Sequence, residues 1–256
     1  MVPMKNIRLT VAYDGTDFCG WQKTKMGSSI EETLEEVLIE LLQEKVTLQA
    51  ASRTDAGVHA EGQVVTFNLV KPIAPDKLRR GLNALLPKTI TVTAVEQVPE
   101  PFHPTLDACG KEYRYALCTG PWQLPHHRHF SWHVPYSLDL EAMRKGAKFF
   151  LGTHDFTSFC NQRKDLRYPD KRRTLVQLEI EELDGGRIAF NLVGNSFLYK
   201  MVRNIVGTLV FVGRGKLKAD AIPAILEAKK RVAAGMTAPA HGLCLKRIFY
   251  EDMIFP

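Results

Sequence analysis

The densest chemical potential in this chain lies in one short string, Ser52-Arg53-Thr54-Asp55-Ala56-Gly57-Val58-His59-Ala60. It holds a single carboxylate, Asp55, with Arg53 two residues before it and Gly57 two after. A loop aspartate is ordinarily a turn or cap residue. Kept ionised by a guanidinium, and open to close approach across a glycine, it is equally a nucleophile or a base. A second cation, Arg203, sits in Met201-Val202-Arg203-Asn204-Ile205-Val206-Gly207, part of the most apolar helix of the chain. A guanidinium in such surroundings must find a partner, because lost hydration is costly. Either it lies on the polar side of an amphipathic helix, or it pairs with a carboxylate from the other half of the fold, for which Asp55 is the candidate. In Lys111-Glu112-Tyr113-Arg114-Tyr115, alternation puts both tyrosines on one sheet face. There they pack a core, or stack on a base and present a hydroxyl.

A basic run follows, with Arg163, Lys164, Arg167, Lys171, Arg172 and Arg173 around Tyr168. It reads as a solvated loop, or as an arm for a phosphate backbone. His126, His127, His129 and His133 cluster in a Trp- and Pro-containing stretch. No carboxylate or cysteine joins them at ligand spacing, so a surface loop meeting RNA or a partner is expected and no metal. No G-x-G-x-x-G, phosphate-binding P-loop, G-x-S-x-G or H-E-x-x-H string occurs, so nucleotide cofactors, serine hydrolysis and zinc peptidase chemistry have no support.

The elements that must position these groups are legible from periodicity. Ile7 to Tyr13 alternates as a strand. Ser29 opens a helix with Glu32 three residues on, and Ile30, Leu34, Val37, Leu38, Leu41 and Leu42 form its apolar stripe. Val46–Ala51 and Gln63–Leu69 read as strands, Asp76–Leu86 as a helix and Thr89–Val98 as a strand. This is the split βαβ, ferredoxin-like order. The theme recurs with a strand at Lys111–Thr119, a helix at Leu138–Leu151, and a hairpin of Thr174–Leu183 and Arg187–Val193 across Asp184-Gly185-Gly186. Helices at Ser196–Val212 and Ala219–Val232 and a closing strand at Gly242–Glu251 complete it. The expected fold is α+β, with two ferredoxin-like halves whose mostly antiparallel sheets join side by side and whose helices pack on one face. The halves divide at the prolines of Pro99–Pro104 into 1–103, carrying the Asp55 loop, and 104–256, carrying the tyrosine strand and the arginine helix.

Composition sets the outer bounds. The chain has 256 residues, is 45% hydrophobic and 24% charged, and carries a net charge of +6. A chain this long buries a core without disulfides or a structural metal. Its excess charge favours an anionic partner, most commonly nucleic acid. The five cysteines are scattered and form no C-x-x-C pair, which fits a reducing cytosol. No signal peptide opens the chain, and no apolar run is long enough to span a bilayer.

Six strings carry a resemblance that covers nearly the whole chain. They are Y-D-G-T-D-F-C-G-W-Q at Tyr13 to Gln22, R-T-D-A-G-V-H-A at Arg53 to Ala60, K-E-Y-R-Y at Lys111 to Tyr115, G-T-H-D-F-T-S-F at Gly152 to Phe159, N-S-F-L-Y-K-M-V-R-N-I-V-G at Asn195 to Gly207, and A-P-A-H-G-L-C-L at Ala238 to Leu245. In this order they resemble the bacterial-type family of tRNA pseudouridine synthase A. The resemblance implies Asp55 as the catalytic aspartate, Tyr113 as the tyrosine that packs on the target base, and Arg203 as the arginine paired with the catalytic carboxylate. It implies Arg53 in flipping the nucleotide and Leu245 in lining the pocket. Ser52 departs from the family's usual glycine, which puts a tightened turn at that position. The implied activity is cofactor-free isomerisation of uridine in tRNA, on the 3′ side of the anticodon stem-loop, by a cytoplasmic homodimer that holds one tRNA across both subunits. The competing readings are a non-catalytic structured-RNA-binding protein of the same fold, and a hydrolase releasing uracil. A hydrolase of that kind usually employs a second carboxylate, which the Asp55 string lacks.

Overall fold

A computed structural model of the chain describes residues 5–163 and 167–251. The chain folds into two units, one of residues up to Cys109 together with Cys244–Glu251, the other of Gly110–Leu243. In chain order the first elements are β1 (Lys5–Tyr13), α1 (Ile30–Leu42), β2 (Gln49–Ala50), β3 (His59–Leu69), α2 (Pro75–Leu85) and β4 (Ile90–Val98). Then come β5 (Gly110–Thr119), β6 (Trp132–Val134), α3 (Leu140–Lys148), β7 (Gly152–Asp155), β8 (Arg172–Leu183), β9 (Arg187–Gly194), α4 (Met201–Gly213), α5 (Ile222–Ala228) and β10 (Leu243–Phe249).

In the first unit β1 is central and antiparallel to both β3 and β4. β2 takes the other edge of β3 at Thr66 and Val65, which completes the expected split βαβ order. Further back on that edge, β10 runs parallel to β3, with Cys244 opposite His59 and Leu245 opposite Ala60. Ser29 caps α1 by accepting the Glu32 N–H at 3.2 Å. The stripe side chains Leu34 and Leu38 of α1 and Leu78 and Leu82 of α2 are fully buried, with Leu9, Val11 and Val65 of the sheet. In the second unit β9 lies between β5 and β8, with β7 outside β8, all antiparallel, while β6 runs parallel to the end of β5. α4 packs on β5, and α3 on α4 and β8. The core between them holds Tyr115, Phe150, Phe156, Phe159, Phe190, Ile205, Val206 and Leu209, all fully buried.

Several boundaries differ from expectation, for identifiable reasons. The helix expected from Ser196 starts only at Met201, because Lys200 takes a left-handed φ of 61° that no α-helix interior admits. The helix expected over Ala219–Val232 is a 3₁₀ turn, the short α5, and a break at Lys229, whose φ is 50°. Asp139 caps α3 by accepting the Ala142 N–H at 2.9 Å, which fixes its start at Leu140. Only Gln49 and Ala50 of Val46–Ala51 pair as a strand. The hairpin turn is as expected, with Gly185 and Gly186 at φ 72° and 71°. The division expected at 103/104 falls after Cys109 instead, and the closing strand returns to the first unit from Cys244 onward, because it pairs with β3.

Candidate active site

Asp55 stands in the loop between β2 and β3, and this loop is built by the Tyr13–Gln22 string. The Trp21 N–H donates to Thr54 O at 3.0 Å, the Gly57 N–H to Phe18 O at 3.4 Å, and the Val58 N–H to Asp55 O at 3.1 Å. The Tyr13 hydroxyl meets Thr54 Oγ1 at 2.8 Å. Two chain segments can approach this closely only over glycine. A Cβ on Gly15 would lie 2.1 Å from Val58 O, and one on Gly20, whose φ is +95°, would lie 2.8 Å from Thr54 O. Gly57 turns the chain at φ 75°. The loop thus carries its backbone groups inward and leaves Asp55 partly exposed between an exposed Arg53 and an exposed Ala56. Ser52 shows no tightened turn. Its φ is not positive, its N–H donates to Gln63 Oε1 at 3.2 Å, and its carbonyl accepts from Gln63 Nε2 at 2.6 Å. Gln63 is fully buried and clamps the loop's entry. The Tyr13–Gln22 string is legible in the sequence only as a turn; its role as the loop's scaffold is not.

Leu245 is fully buried in β10 beside Ala60, the last residue of the Asp55 string, so the first unit places the expected apolar wall next to the expected nucleophile loop. Its neighbour Cys244 is pushed up to about 12 by burial and by Glu61, which makes the thiol inert at neutral pH.

In the second unit Tyr113 is buried on β5, with its ring edge-on to Phe197 at 5.0 Å between centroids. Tyr115, two residues on, is fully buried and donates its hydroxyl to Pro239 O at 2.9 Å; burial raises its pKa far beyond reach of proton transfer. Of the two tyrosines, Tyr115 is therefore core. Arg203 is partly buried near the start of α4. Its Nε donates to Ala238 O at 2.7 Å while the Ala238 N–H donates to Arg203 O at 3.0 Å, so one residue clamps it at both ends. The segment carrying Ala238 lies directly on α4: a Cβ on Gly207 would fall 1.8 Å from Met236 O. Among the described residues, Arg231, unremarked in the sequence, is held by neutral acceptors. Its Nε donates to Asn161 Oδ1 at 3.1 Å, its Nη2 to Asn204 Oδ1 and Thr237 Oγ1 at 2.9 Å, and its Nη1 to Gly235 O at 2.8 Å.

The basic run is not one exposed loop. Arg163, Arg167 and Arg172 are exposed, whereas Lys171 and Arg173 are partly buried and β8 begins at Arg172. Lys164 lies outside the described residues. Arg163 and Lys200 sit over the Tyr199 ring at 5.7 and 5.1 Å, and Arg173 over Tyr168 at 5.6 Å. Of the histidines, the His126 and His127 rings lie 4.2 Å apart, tilted to each other, in a 3₁₀ turn, and His133 Nε2 meets Gly120 O at 2.8 Å.

A family model described as tRNA pseudouridine synthase matches residues 9–106 and 147–251. The chain is 47% identical over 248 residues to tRNA pseudouridine synthase A 2 of Protochlamydia amoebophila, covering 96% of this chain and 95% of that one. It is 42% identical over 247 residues to tRNA pseudouridine synthase A of Acetivibrio thermocellus, covering 96% and 100%. Among solved structures, a chain of the archaeal box H/ACA sRNP Nop10-Cbf5 complex aligns over 95% of this chain and 49% of its own length, at TM-score 0.41 and 15% identity. On the sequence matches, the chain belongs to the tRNA pseudouridine synthase family.

Proposed function

We propose that this chain isomerises uridine to pseudouridine in tRNA, with Asp55 as the attacking carboxylate. The observation that carries the reading is the Asp55 loop: its backbone is tied to the Tyr13–Gln22 string, and its one carboxylate is left accessible. In the reaction the bond from N1 of uracil to the ribose breaks, and C5 bonds to the same sugar carbon. The proton on C5 is lost and N1 gains one, so no oxidant or reductant is required. An ionised carboxylate supplies the nucleophile. Tyr113 supports the everted base, and Leu245 helps keep water from the detached intermediate. Arg203 is the arginine assigned to the reacting site, and Arg53 assists eversion, which costs a few kcal/mol of stacking. The reading extends to the 3′ side of the anticodon stem-loop as target, to a homodimer and to the cytoplasm. No helix among the described residues is long and apolar enough to cross a membrane.

Mapping pseudouridines in tRNA from cells with and without this gene tests the target. Loss confined to the anticodon stem-loop is expected, and an unchanged map refutes it. Arg203→Ala is expected to lower turnover by at least about 10²-fold and stability by about 1 to 3 kcal/mol, since it strands the Ala238 carbonyl. Full activity at unchanged stability contradicts the role. Replacing Arg172 and Arg173 by glutamine is expected to weaken tRNA binding and flatten its dependence on salt by about one to two ions. An unchanged slope removes both from the RNA surface.

A further inference from the structure

Three strands bring Lys111, to which the proposed function gives no role, beside Arg173 of the basic run. Lys111 of β5 lies opposite Gly194 of β9, and Gly194 lies opposite Leu175 of β8. Residues in register share a sheet face, and so do residues two apart on one strand. Lys111, Tyr113, Leu175 and Arg173 therefore emerge on the same face. Gly194 lets Leu175 and Phe197 close over the strand between them. A Cβ there would lie 2.7 Å from Leu175 Cδ2 and 3.2 Å from Cζ of Phe197, the ring that packs on Tyr113. Arg173 is half-committed: its Nη1 donates to Asp170 O at 3.1 Å and Arg172 O at 2.6 Å, and its face rests on Tyr168. Its Nε is buried and has no hydrogen-bond partner among the described residues. An unmet guanidinium donor costs free energy unless a ligand meets it.

We propose that Lys111 and Arg173 form a binding site for a phosphodiester of the RNA strand, beside the base position at Tyr113. Two strand residues separate Lys111 from Tyr113, about 6.6 Å, a distance of the order that separates a nucleoside's base from its flanking phosphates. The Arg173 Nε–H and the Lys111 ammonium supply charge-assisted donors to the phosphate oxygens. Tyr168, Tyr199, Arg163 and Lys200 continue the cationic and aromatic surface for the adjoining strand. The identity of the strand as tRNA rests on the proposed function, whereas the anion site does not.

The unliganded site has a pH signature. Burial, aided by Arg173, pushes the Lys111 amine down to about 8. Burial also lowers the Arg173 guanidinium, against the pull of Tyr168, Asp170 and Cys160. Among the described residues, the charged and titratable groups acting on this pair are Tyr168, Asp170 and Cys160, with Lys171 beside Cys160 and Tyr113 on the same face of β5. Below pH 8 Lys111 is charged when the phosphate arrives; above it, the unliganded protein must gain a proton to bind. Affinity should therefore fall as pH rises through 8, about tenfold by about pH 9.

The test measures the Kd for unmodified tRNA from about pH 7 to about pH 9 at several salt concentrations, with the wild type, Lys111→Arg and Lys111→Met. The wild type should show the fall, Lys111→Arg should bind with a flat pH profile, and Lys111→Met should bind weakly at both ends with a salt slope reduced by about one ion. Thermal melting checks that Lys111→Met is folded; if it is not, the Lys111→Arg profile decides. A flat wild-type profile, or a Lys111→Arg profile that falls like the wild type, overturns the site. Because binding is read without turnover, the two claims separate. Turnover with pH-independent binding removes the phosphate site alone, and the predicted binding profile without turnover upholds it while removing the isomerase reading.

Discussion

Asp55→Asn should bind tRNA as tightly as the parent and lose turnover by roughly 10⁴-fold or more. The substitution keeps the shape of the side chain and removes its charge. The hydrogen bonds that build it, from Trp21 to Thr54, from Gly57 to Phe18 and from Val58 to Asp55, all run through backbone atoms. Tyr13 and Gln63 hold the flanking Thr54 and Ser52. What is lost is the nucleophile, and the R-T-D-A-G-V-H-A string contains no second carboxylate to take its place. Equal Kd and absent tritium release from uridine are the expected set, with thermal melting showing that the variant is folded. Residual turnover within about tenfold of the parent would show that Asp55 only positions another group.

Gly207→Ala should destabilise the protein by about 3 kcal/mol and disable the site at a distance. Two effects compete at this position. Alanine in place of glycine inside a helix gains about 1 kcal/mol in propensity. Against it, the new methyl would sit 1.8 Å from Met236 O, a backbone atom with no rotamer to escape into. The clash far outweighs the gain in propensity, so either α4 or the 235–238 segment must shift. That segment ends at Ala238, whose N–H and carbonyl hold Arg203, and Gly235 donates to Thr208 Oγ1 at 2.9 Å on the same helix. A melting temperature lower by about 6 to 12 °C, with activity reduced beyond what unfolded protein explains, is the expected result. A variant more stable than the parent would mean that helix propensity governs and the close approach is absent.

The sequence is most informative where periodicity and chemistry coincide. The α1 stripe, the Ser29 cap, the Asp184-Gly185-Gly186 hairpin and the strand alternation that pairs Tyr113 with Tyr115 all act through local geometry, and each is found. Alternation cannot say which tyrosine faces chemistry, because that depends on the Pro239 carbonyl brought up from 124 residues away. The start of α4 lies later than periodicity suggests because Asn195–Lys200 continues the apolar pattern of the helix it precedes, and nothing local announces the left-handed Lys200. The return of the last strand to the first unit is likewise non-local, fixed by pairing with β3. The Asp55 loop is visible as a string, but its scaffold is not, since the glycines at 15 and 20 acquire meaning only when Val58 and Thr54 stand against them. Arg173 is legible as part of a basic run and Lys111 only as a neighbour of Tyr113; their proximity requires the register of three strands.

The most direct measurement uses the purified protein and tRNA carrying tritium at C5 of uridine, with tritium release and the nucleoside products followed together and no cofactor added. Isomerisation by Asp55 predicts tritium released mole for mole with pseudouridine formed. Free uracil in place of pseudouridine, or intact label after prolonged incubation with folded protein, would contradict it.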